Sequence, residues 1–258
     1  MNTDGPTVTV QSRWEGGLQK AREISSDLGI DVSEGQRVPS GEYRIVILED
    51  RVELWDESTR KHGMPLDFRS IDLRTGSGSL SHKQPMARAI GRSTRTVLDA
   101  TAGLGHDSFL LACLGWRVHA VERHPIVFAL LREACLSIVD DMSISPVVGD
   151  RLTIHNQDAV AWLDDPGNPP VDAVYLDPMF ETRRSSALPK KPAQILRHLV
   201  GRDSDVDRLF RSAMDHAKNR VIVKRSDHDP PLVENPSRSY KGKIVRYDVY
   251  ETRGAIDG

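Results

Sequence analysis

One segment of this chain of 258 residues carries more structural information than any other: Val97-Leu98-Asp99-Ala100-Thr101-Ala102-Gly103-Leu104-Gly105-His106-Asp107. It has the pattern of a short apolar strand that closes on an acid, a turn through two glycines, and the start of an apolar helix. Glycines in such a turn let the backbone approach a ligand closely, and the helix N-terminus offers unpaired N–H groups. The segment therefore predicts a site for a nucleotide-like ligand.

The spacing of the glycines separates two classes of nucleotide-like ligand. A dinucleotide fingerprint requires G-x-G-x-x-G, and Ser108 stands at its third glycine position. Asp99, four residues before Gly103, instead fits the pattern D-x-x-x-G-x-G of S-adenosylmethionine (SAM) methyltransferases. Taken alone, the turn is about equally compatible with a strand-to-helix connection that binds nothing. Residues at the ends of the other predicted strands are needed to decide between these alternatives.

Composition limits the classes of protein to which the chain can belong. With 38% hydrophobic and 28% charged residues, the sequence is that of an ordinary globular protein rather than a disordered one. Its length suits one large α/β domain or a core with a smaller addition. The formal net charge of −2 does not indicate a nucleic-acid binder, so RNA contact would require basic residues gathered on one face.

Signals of secretion, membrane insertion and metal binding are missing from the sequence. The first residues contain no basic segment followed by an apolar run, which predicts no secretory signal. The longest apolar stretch, residues 109–116, is far too short to cross a bilayer. Cys113 and Cys135 fall within predicted amphipathic helices, which favours buried reduced thiols over a disulfide or a metal pair. We therefore expect a cytoplasmic protein without a metal site.

The chain is expected to divide near residue 80, where a Gly/Ser joint lies at 76–79. Residues 1–80 are predicted to form a small β-rich N-terminal unit, a candidate for RNA contact, and residues 81–258 the α/β domain. Within the first unit the pattern predicts a helix and three strands, at residues 17–28, 43–48, 52–55 and 65–73.

Strands and helices alternate after residue 96, which favours a parallel sheet with crossover helices. Strands are predicted at residues 96–99, 117–122, 152–155, 171–176, 220–224 and 244–250. Helices are predicted at residues 86–90 and 106–114, and from Pro125 and Ser204 onward. Because a turn precedes the last strand, we expect an antiparallel end to a Rossmann-like sheet.

Ligands of open α/β sheets bind beyond the carboxyl ends of the strands, and the first strand ends in suitable residues. Asp99, Gly103 and Gly105 are expected to face the methionine part of SAM. His106 and Asp107 open the helix, where N–H groups can bind a carboxylate and Asp107 can accept from an ammonium group. Singly, Asp99 and Asp107 are better explained by a helix N-cap or a loop end.

The next two strands also end in residues that suit a nucleoside. Glu122 lies 23 residues after Asp99, a spacing at which an acid accepts both ribose hydroxyls. Arg123 is expected beside the adenosine, and Gln157 or Asp158 at the adenine amino group. The order of these residues along successive strand ends favours SAM, because isolated caps do not require it.

The fourth strand ends in Asp177-Pro178-Met179-Phe180. Enzymes that methylate an exocyclic amine on a planar base carry a similar acidic or amide residue, proline and aromatic residue at this place. Asp177 and the Pro178 carbonyl can accept the amine protons, and the Phe180 ring can stack on the base. The alternative is an ordinary Asp-Pro turn with Phe180 in the core.

A basic segment follows this motif, and its position favours RNA contact over an ordinary solvated loop. Between residues 180 and 203 the chain has one acidic residue, Glu181, and six basic ones, a net charge of 6 − 1, or about +5. The basic residues are Arg183, Arg184, Lys190, Lys191, Arg197 and Arg202. Lys224 and Arg225, after the fifth strand, either extend this patch or bridge to acids.

From about residue 66 onward the chain resembles the bacterial 16S ribosomal RNA guanine-N2 methyltransferases. The resemblance rests on residues 97–105, 121–125, 174–180, 186–191 and 221–225, and Met179 in the Asp-Pro-Met-Phe motif is unusual outside that family. It implies a class I SAM methyltransferase that adds one methyl group to N2 of a guanine near the 3′ end of 16S RNA. The implied partner is 16S rRNA or the small ribosomal subunit.

The same resemblance implies which residues bind the cofactor SAM: His106, Asp107, Glu122, Arg123, Gln157, Asp158 and Asp177. His106 stands where the family has an arginine, and residues 156–158 where it has small hydroxyl residues. The first forty residues are not covered.

Three alternatives to this interpretation remain at the level of sequence. A protein amide or DNA adenine methyltransferase uses a similar motif after the fourth strand. A non-catalytic RNA-binding ribosome-assembly factor could keep the fold without using SAM. A nicotinamide dehydrogenase is disfavoured by Ser108.

Overall fold

The computed structural model describes residues 7–33, 43–56, 64–65, 67–74, 80–178 and 205–252. The strands in this part are β1 (Val8–Ser12), β2 (Val32–Ser33), β3 (Tyr43–Ile47), β4 (Val52–Asp56), β5 (Met64–Pro65), β6 (Thr96–Asp99), β7 (Arg117–Val121), β8 (Leu152–His155), β9 (Ala173–Leu176), β10 (Arg220–Ser226), β11 (Arg238–Lys241) and β12 (Val245–Glu251). The helices are α1 (Leu18–Leu28), α2 (Pro85–Ile90), α3 (His106–Cys113), α4 (Pro125–Leu136), α5 (Ser145–Val148), α6 (Ala159–Asp164) and α7 (Val206–His216).

The described residues group into two compact units. The first unit holds those within Met1–Ser70 together with His124–Asp141, and the second holds the remainder. The grouping of His124–Asp141 departs from a simple division at residue 80, because this segment belongs to the predicted second domain by sequence. Separate folding of residues 1–80 and 81–258 stays a prediction.

The first unit is built on a five-stranded sheet of order β2-β1-β3-β4-β5. The predicted hairpin is confirmed, since β3 and β4 pair antiparallel with Ile47 opposite Val52. The side chains of Ile45 and Leu54 are fully buried in this sheet, as the apolar pattern of both strands requires. Helices α1 and α4 are joined by an ion pair between Lys20 and Glu133, whose atoms lie 2.8 Å apart.

The second unit contains a seven-stranded sheet of order β11-β12-β10-β9-β6-β7-β8. Strands β6 to β10 run parallel, and β12 pairs antiparallel with both β10 and β11. The predicted α/β class with an antiparallel C-terminal strand is therefore confirmed. One face of the sheet packs against α6 and α7, where Trp162, Phe210 and Ala213 join an apolar cluster with Val223. This topology brings the carboxyl ends of β6, β7, β9 and β10 to one edge.

One predicted strand is wrong, and its failure has a local cause. Among the described residues of 65–73, Pro65 ends β5 and Phe68–Ser70 form a 3-10 turn. Pro65 has no N–H for a strand ladder, and the Asp67 carboxylate accepts the backbone N–H of Arg69 at 2.9 Å, which stabilises a turn. The Gly/Ser joint at 76–79 and the helix start at Ser204 lie outside the described residues. Cys113 and Cys135 are free thiols within α3 and α4, as expected, but both are half-buried rather than buried.

Three strands at one side of the second sheet are tied by a buried ion pair. Arg246 donates from Nε to both carboxylate oxygens of Asp248, at 3.0 and 3.1 Å, and from Nη1 to the carbonyl of Ser226 at 2.7 Å. Ser239 on β11 donates to the same carboxylate at 2.6 Å. The Asp248 side chain is fully buried, so its charge depends on these donors.

We expect Asp248→Ala to lower the free energy of unfolding by about 3–5 kcal/mol, because it leaves a buried guanidinium without its counterion. Urea unfolding followed by circular dichroism measures the loss. Asp150→Ala, at an exposed loop position, is the control and should change stability by less than about 0.5 kcal/mol. Equal stabilities of the two variants would contradict this account of the sheet.

Candidate active site

The loop between β6 and α3 is fixed on both sides by backbone hydrogen bonds. Ala100 donates to the carbonyl of Tyr175 in β9 at 3.0 Å, and Ala102 donates to that of Val121 in β7 at 3.1 Å. Gly103 and Gly105 have φ values of +54° and +77°, which only glycine adopts without appreciable strain. Gly105 directly precedes α3, so the loop delivers the helix N-terminus to the carboxyl edge of the sheet, as predicted.

Asp99 lies behind this loop. Its side chain is 1% exposed, and its carboxylate accepts from the Ser108 hydroxyl at 2.5 Å and from the Thr101 N–H at 3.2 Å. Burial raises the pKa of Asp99 to about 7, although both hydrogen bonds act in the opposite direction. Asp99 thus connects the strand, the loop and α3, and its predicted contact with the cofactor stays a prediction.

Glu122 is brought against the glycine turn. Its carboxylate accepts the Gly103 N–H at 3.0 Å, and its side chain lies in a mostly buried position at the end of β7. The Asn156 amide donates to the Glu122 carbonyl at 2.9 Å, which holds the chain after β7 in place. The following residue, Arg123, donates to the carboxylate of Asp205 at 3.1 Å in a half-exposed pair.

The ammonium group of Lys224 joins two of the predicted site residues. Its Nζ atom lies 2.7 Å from Oδ2 of Asp107, in the first turn of α3, and 2.9 Å from Oδ2 of Asp177, just after β9. The Asp177 N–H donates to the Thr101 hydroxyl at 2.6 Å, so the chain after β9 is also bonded to the glycine loop. The structure thus brings Asp107 and Asp177 together through a cation from β10.

The electrostatics of this cluster follow from its charges and partial burial. Burial opposes the charged form of Asp107, but the Lys224 ammonium, the Tyr175 hydroxyl and His106 together lower the pKa of that carboxyl. Partial burial raises the pKa of Asp177; Lys224 acts against this rise and the Asp107 charge adds to it. Burial alone would lower the pKa of Lys224, yet the two carboxylates raise it, so the lysine is a cation at neutral pH.

Two tyrosines complete the inner side of the cluster. Tyr175, fully buried in β9, donates its hydroxyl to Oδ2 of Asp107 at 2.6 Å. Burial, and then the Asp107 charge, raises its pKa well above the ordinary value, so the hydroxyl remains a donor. Tyr247 lies beside it with ring centroids 6.4 Å apart, and burial raises the pKa of Tyr247 to about 12.

Not every predicted residue joins this cluster. Asp158 is the N-cap of α6 and accepts the N–H groups of Val160 and Ala161 at 3.0 and 3.1 Å. Gln157 is half-buried and His106 is exposed. Pro178 is buried directly after Asp177. The predicted residues Phe180, Arg183, Arg184, Lys190 and Lys191 lie outside the described part of the chain.

Sequence reasoning missed three members of the site and left a fourth open. Thr101, Ser108 and Tyr175 have no signal in one sequence beyond their places near the glycine turn and at the end of a strand. Lys224 does have a signal, because a lysine that directly follows the apolar run at 221–223 of a predicted strand requires a partner if it is buried. The structure confirms the bridging alternative, with Asp107 and Asp177 as its acids.

Comparison with known proteins identifies the family. A family model of SAM-dependent methyltransferases matches residues 32–252. A ribosomal RNA small subunit methyltransferase J from Marinobacter nauticus is 36% identical over 248 residues, covering 90% of this chain and 87% of the relative. The chain belongs to this family of SAM-dependent methyltransferases. A second relative of the same name, from Actinobacillus succinogenes, is 42% identical over 210 residues, covering 74% of this chain and 81% of the relative.

A solved structure agrees with this assignment. The crystal structure of a SAM-dependent methyltransferase from Neisseria gonorrhoeae matches with a TM-score of 0.69 and 26% identity, covering 96% of this chain and 98% of that one. Family membership makes the chain an enzyme with SAM as its cofactor. Within the described ranges, no helix is long and apolar enough to cross a membrane, and no group of His, Cys, Asp or Glu is arranged to hold a metal ion.

The residues present suit this cofactor chemically. SAM offers an ammonium group, a carboxylate and a ribose diol. The Asp107 carboxylate can accept from the ammonium group, and the Glu122 carboxylate can accept from the ribose diol. The N–H groups at the start of α3 can donate to the carboxylate of SAM. Gly103 and Gly105, which the positive φ values at these positions favour, present no Cβ atoms to this surface.

Asp99→Asn should change how stability depends on pH. With a folded pKa of about 7 against an ordinary 3.8, Asp99 binds a proton in the folded state only, between these pH values. Wild-type stability therefore falls as pH rises through this window, by up to about 1.4 kcal/mol per pH unit. The variant lacks this term, so its free energy of unfolding relative to wild type should rise from pH 5 to about pH 7 in urea unfolding. A difference that stays constant with pH would contradict the buried acid.

Proposed function

We propose that this enzyme transfers the methyl group of SAM to the exocyclic N2 amine of a guanine in 16S ribosomal RNA, either free or within the small ribosomal subunit. The names of the relatives support the RNA substrate, and the sequence resemblance supports the guanine amine. A ribosomal substrate is also consistent with the cytoplasmic location expected from the sequence.

One observation carries the proposal: Asp177 is bonded to the loop that is expected to hold SAM. Its N–H contacts the Thr101 hydroxyl, and its carboxylate reaches Asp107 through Lys224. The Asp177 side chain is 41% exposed, whereas those of Lys224 and Asp107 are 22% exposed. The acid therefore faces an approaching substrate while its neighbours remain behind it.

Asp177 supplies what a poorly nucleophilic amine needs. The N2 lone pair of guanine is delocalised into the ring, so the amine reacts only when an acceptor draws its N–H groups out of the plane. The Asp177 carboxylate and the Pro178 carbonyl accept these N–H groups and stabilise the positive charge that develops on nitrogen. SAM supplies an electrophilic methyl group: the N–CH₃ bond forms as the S–CH₃ bond breaks, and the amine proton leaves to water.

Lys224 is a positioning residue in this scheme. Its ammonium fixes one oxygen of Asp177, and its charge favours the ionised form of that carboxyl. Because Asp107 shares the same ammonium, the two sides of the site are held at a defined separation. Rigid placement of an acceptor reduces the reorganisation needed at the moment of transfer.

Further parts of the proposal rest on sequence alone. The Phe180 ring is proposed to stack on the guanine, and Arg183, Arg184, Lys190 and Lys191 to contact RNA phosphates. Residues 1–80 are a candidate for additional RNA contact. Cofactor contacts of Asp99, His106, Arg123, Gln157 and Asp158 belong to the same proposal.

Asp177→Ala should reduce methyl transfer to 16S rRNA by about 100-fold or more, since it removes the acceptor of the amine. The affinity for SAM, measured by calorimetry, should stay within several-fold of wild type. Asp215→Ala, at an exposed position on α7, is the charge-matched control and should transfer methyl groups normally. Nucleoside mass spectrometry of 16S rRNA from a strain lacking the gene, with and without each variant, identifies the product. Normal transfer by Asp177→Ala would refute the mechanism.

Lys224→Met should move the acid limb of the pH–rate profile to higher pH. The scheme requires ionised Asp177, whose charged form exists above its pKa and is lost as pH falls through it. Without the ammonium, the Asp107 charge and partial burial raise that pKa further. Lys224→Arg keeps the cation and should return the limb towards its wild-type position. An unchanged limb in Lys224→Met would show that Lys224 acts only on stability.

A further inference from the structure

A basic pocket lies in the second unit between α2 and β11, separate from the cluster around Lys224. Its volume is about 380 Å³, and no aspartate or glutamate of the described residues lines it. Four basic side chains and one aromatic side chain contribute to its wall: His82, Lys83, Arg88, Arg92 and Tyr240. We call this feature the α2 pocket. Its lining suits an anion rather than an apolar ligand.

The cations of the α2 pocket have no acidic partner among the described residues. Lys83, Arg88 and Arg92 are all exposed, and none forms an ion pair within the described ranges. By contrast, Arg220 in the same unit pairs with Glu251 at 3.6 Å. Uncompensated charges that share one concave surface add their potentials and attract a counter-ion. The pocket is therefore electrostatically suited to an anionic ligand.

Gly91 also lines the pocket, and its backbone conformation requires glycine. Gly91 ends α2 with a φ of +88°, and a Cβ atom there would lie 2.8 Å from Nη1 of Arg220. Any other residue would be strained and would push this guanidinium aside. A side chain at position 91 would therefore disturb both the backbone at the end of α2 and the neighbouring Arg220.

One wall of the pocket has a shape suited to nucleotides. The Arg88 guanidinium carbon lies 4.8 Å from the centroid of the Tyr240 ring, a cation–π contact that holds the arginine in place. Stacked arginine and tyrosine side chains are typical of surfaces that bind single-stranded RNA, where they combine phosphate contact with packing against a base or ribose.

The strand register places this wall near the proposed catalytic acid. Tyr240 pairs with Tyr247, and Tyr247 pairs with Lys224, so the three residues form one row across β11, β12 and β10. Paired residues project from the same face of a sheet. Tyr240 and Lys224 are two strand spacings apart, about 10 Å. A strand of RNA with its target base at Asp177 can therefore reach the α2 pocket with a neighbouring nucleotide.

We propose that the α2 pocket binds a phosphodiester group of the substrate RNA close to the methylated nucleotide. The inference rests on the proposed function for the identity of the RNA. It assigns an RNA contact to α2 and β11, separate from the basic segment at 183–191.

The test replaces three cations of the pocket together, as Lys83→Gln, Arg88→Gln and Arg92→Gln. The control removes the same charge from α7 and the residues after it, as Arg208→Gln, Arg211→Gln and Lys218→Gln, all exposed. Affinity for a 16S rRNA transcript and for small subunits from a strain lacking the gene is measured without SAM over a range of salt concentrations. Steady-state methyl transfer and SAM affinity are measured in parallel.

The pocket variant should bind the transcript about tenfold or more weakly, with a salt slope reduced by about 0.7 for each phosphate that is no longer neutralised. Its kcat at saturating RNA and its affinity for SAM should match the control, which shows that the fold is intact. Equal RNA affinities for the pocket variant and the control would overturn the proposal. If the pocket variant binds small subunits more weakly but binds the transcript as the control does, the proposal would also be overturned, since the partner of the pocket would then be a ribosomal protein.

A separate titration with inorganic phosphate distinguishes RNA from a free phosphate ligand. Saturation of the wild type by phosphate, with RNA affinity unchanged in the pocket variant, would reassign the site and refute the RNA contact. Failure of the proposed function has a different signature, because the wild type would then bind RNA without methylating any guanine. The affinity comparison made without SAM still decides the role of the pocket in that case.

Discussion

The site depends on a loop that is bonded to both of its neighbouring strands. The β6–α3 loop donates to a carbonyl in β7 and to one in β9, and it receives the N–H of Asp177 on the Thr101 hydroxyl. Glu122 adds a side-chain acceptor for Gly103. Because these bonds come from both sides, neither β7 nor the chain after β9 can shift relative to the loop without breaking contacts to the same short segment. The positive φ of the two glycines is what allows the chain to satisfy all of them.

Charge distribution then separates the two ligands of the reaction. Asp107 and Asp177 share one ammonium from Lys224, so the cluster has a formal charge of −2 + 1, or −1, and Glu122 adds another negative charge nearby. SAM is a net cation through its sulfonium and ammonium groups, which suits this edge of the sheet. The cations that line the α2 pocket suit the opposite charge of RNA. Under the proposed assignment, a polyanion and a cationic cofactor are attracted to different parts of one unit.

Much of this architecture could be predicted from sequence because the decisive signals are local. Strands 96–99 and 152–155 are bounded by turns and polar residues, and the structure places them at these bounds. The glycine turn, Glu122 and Asp177 could be proposed as site residues from the sequence, because their residue types and spacing match a known ligand-binding pattern. The short strands β1 and β11 were missed because their stability comes from pairing with distant strands, as Val8 does with Tyr43.

The roles of several polar residues could not be predicted, because their hydrogen-bond partners become neighbours only when the chain folds. Thr101 and Ser108 act through bonds to Asp177 and Asp99, partners that only the folded chain brings near. Asp158 satisfies N–H groups of α6, a role that its position at a strand end does not distinguish from ligand binding. A single sequence gives the type of a polar residue but not which of several acceptors or donors it will meet.

The register of β10 determines which of its side chains face the apolar core and which face Asp107 and Asp177. Val221 and Val223 enter the apolar cluster with Trp162 and Phe210, and Lys224 projects from the opposite face to Asp107 and Asp177. Because the side-chain period of a strand is two, a shift by one residue would bury the ammonium among apolar groups and expose valines to the acids. Both errors are costly, so the apolar cluster on one face fixes the position of the cation on the other. The packing of the apolar core on one face of the sheet thereby positions Lys224, which connects Asp107 and Asp177 on the other face.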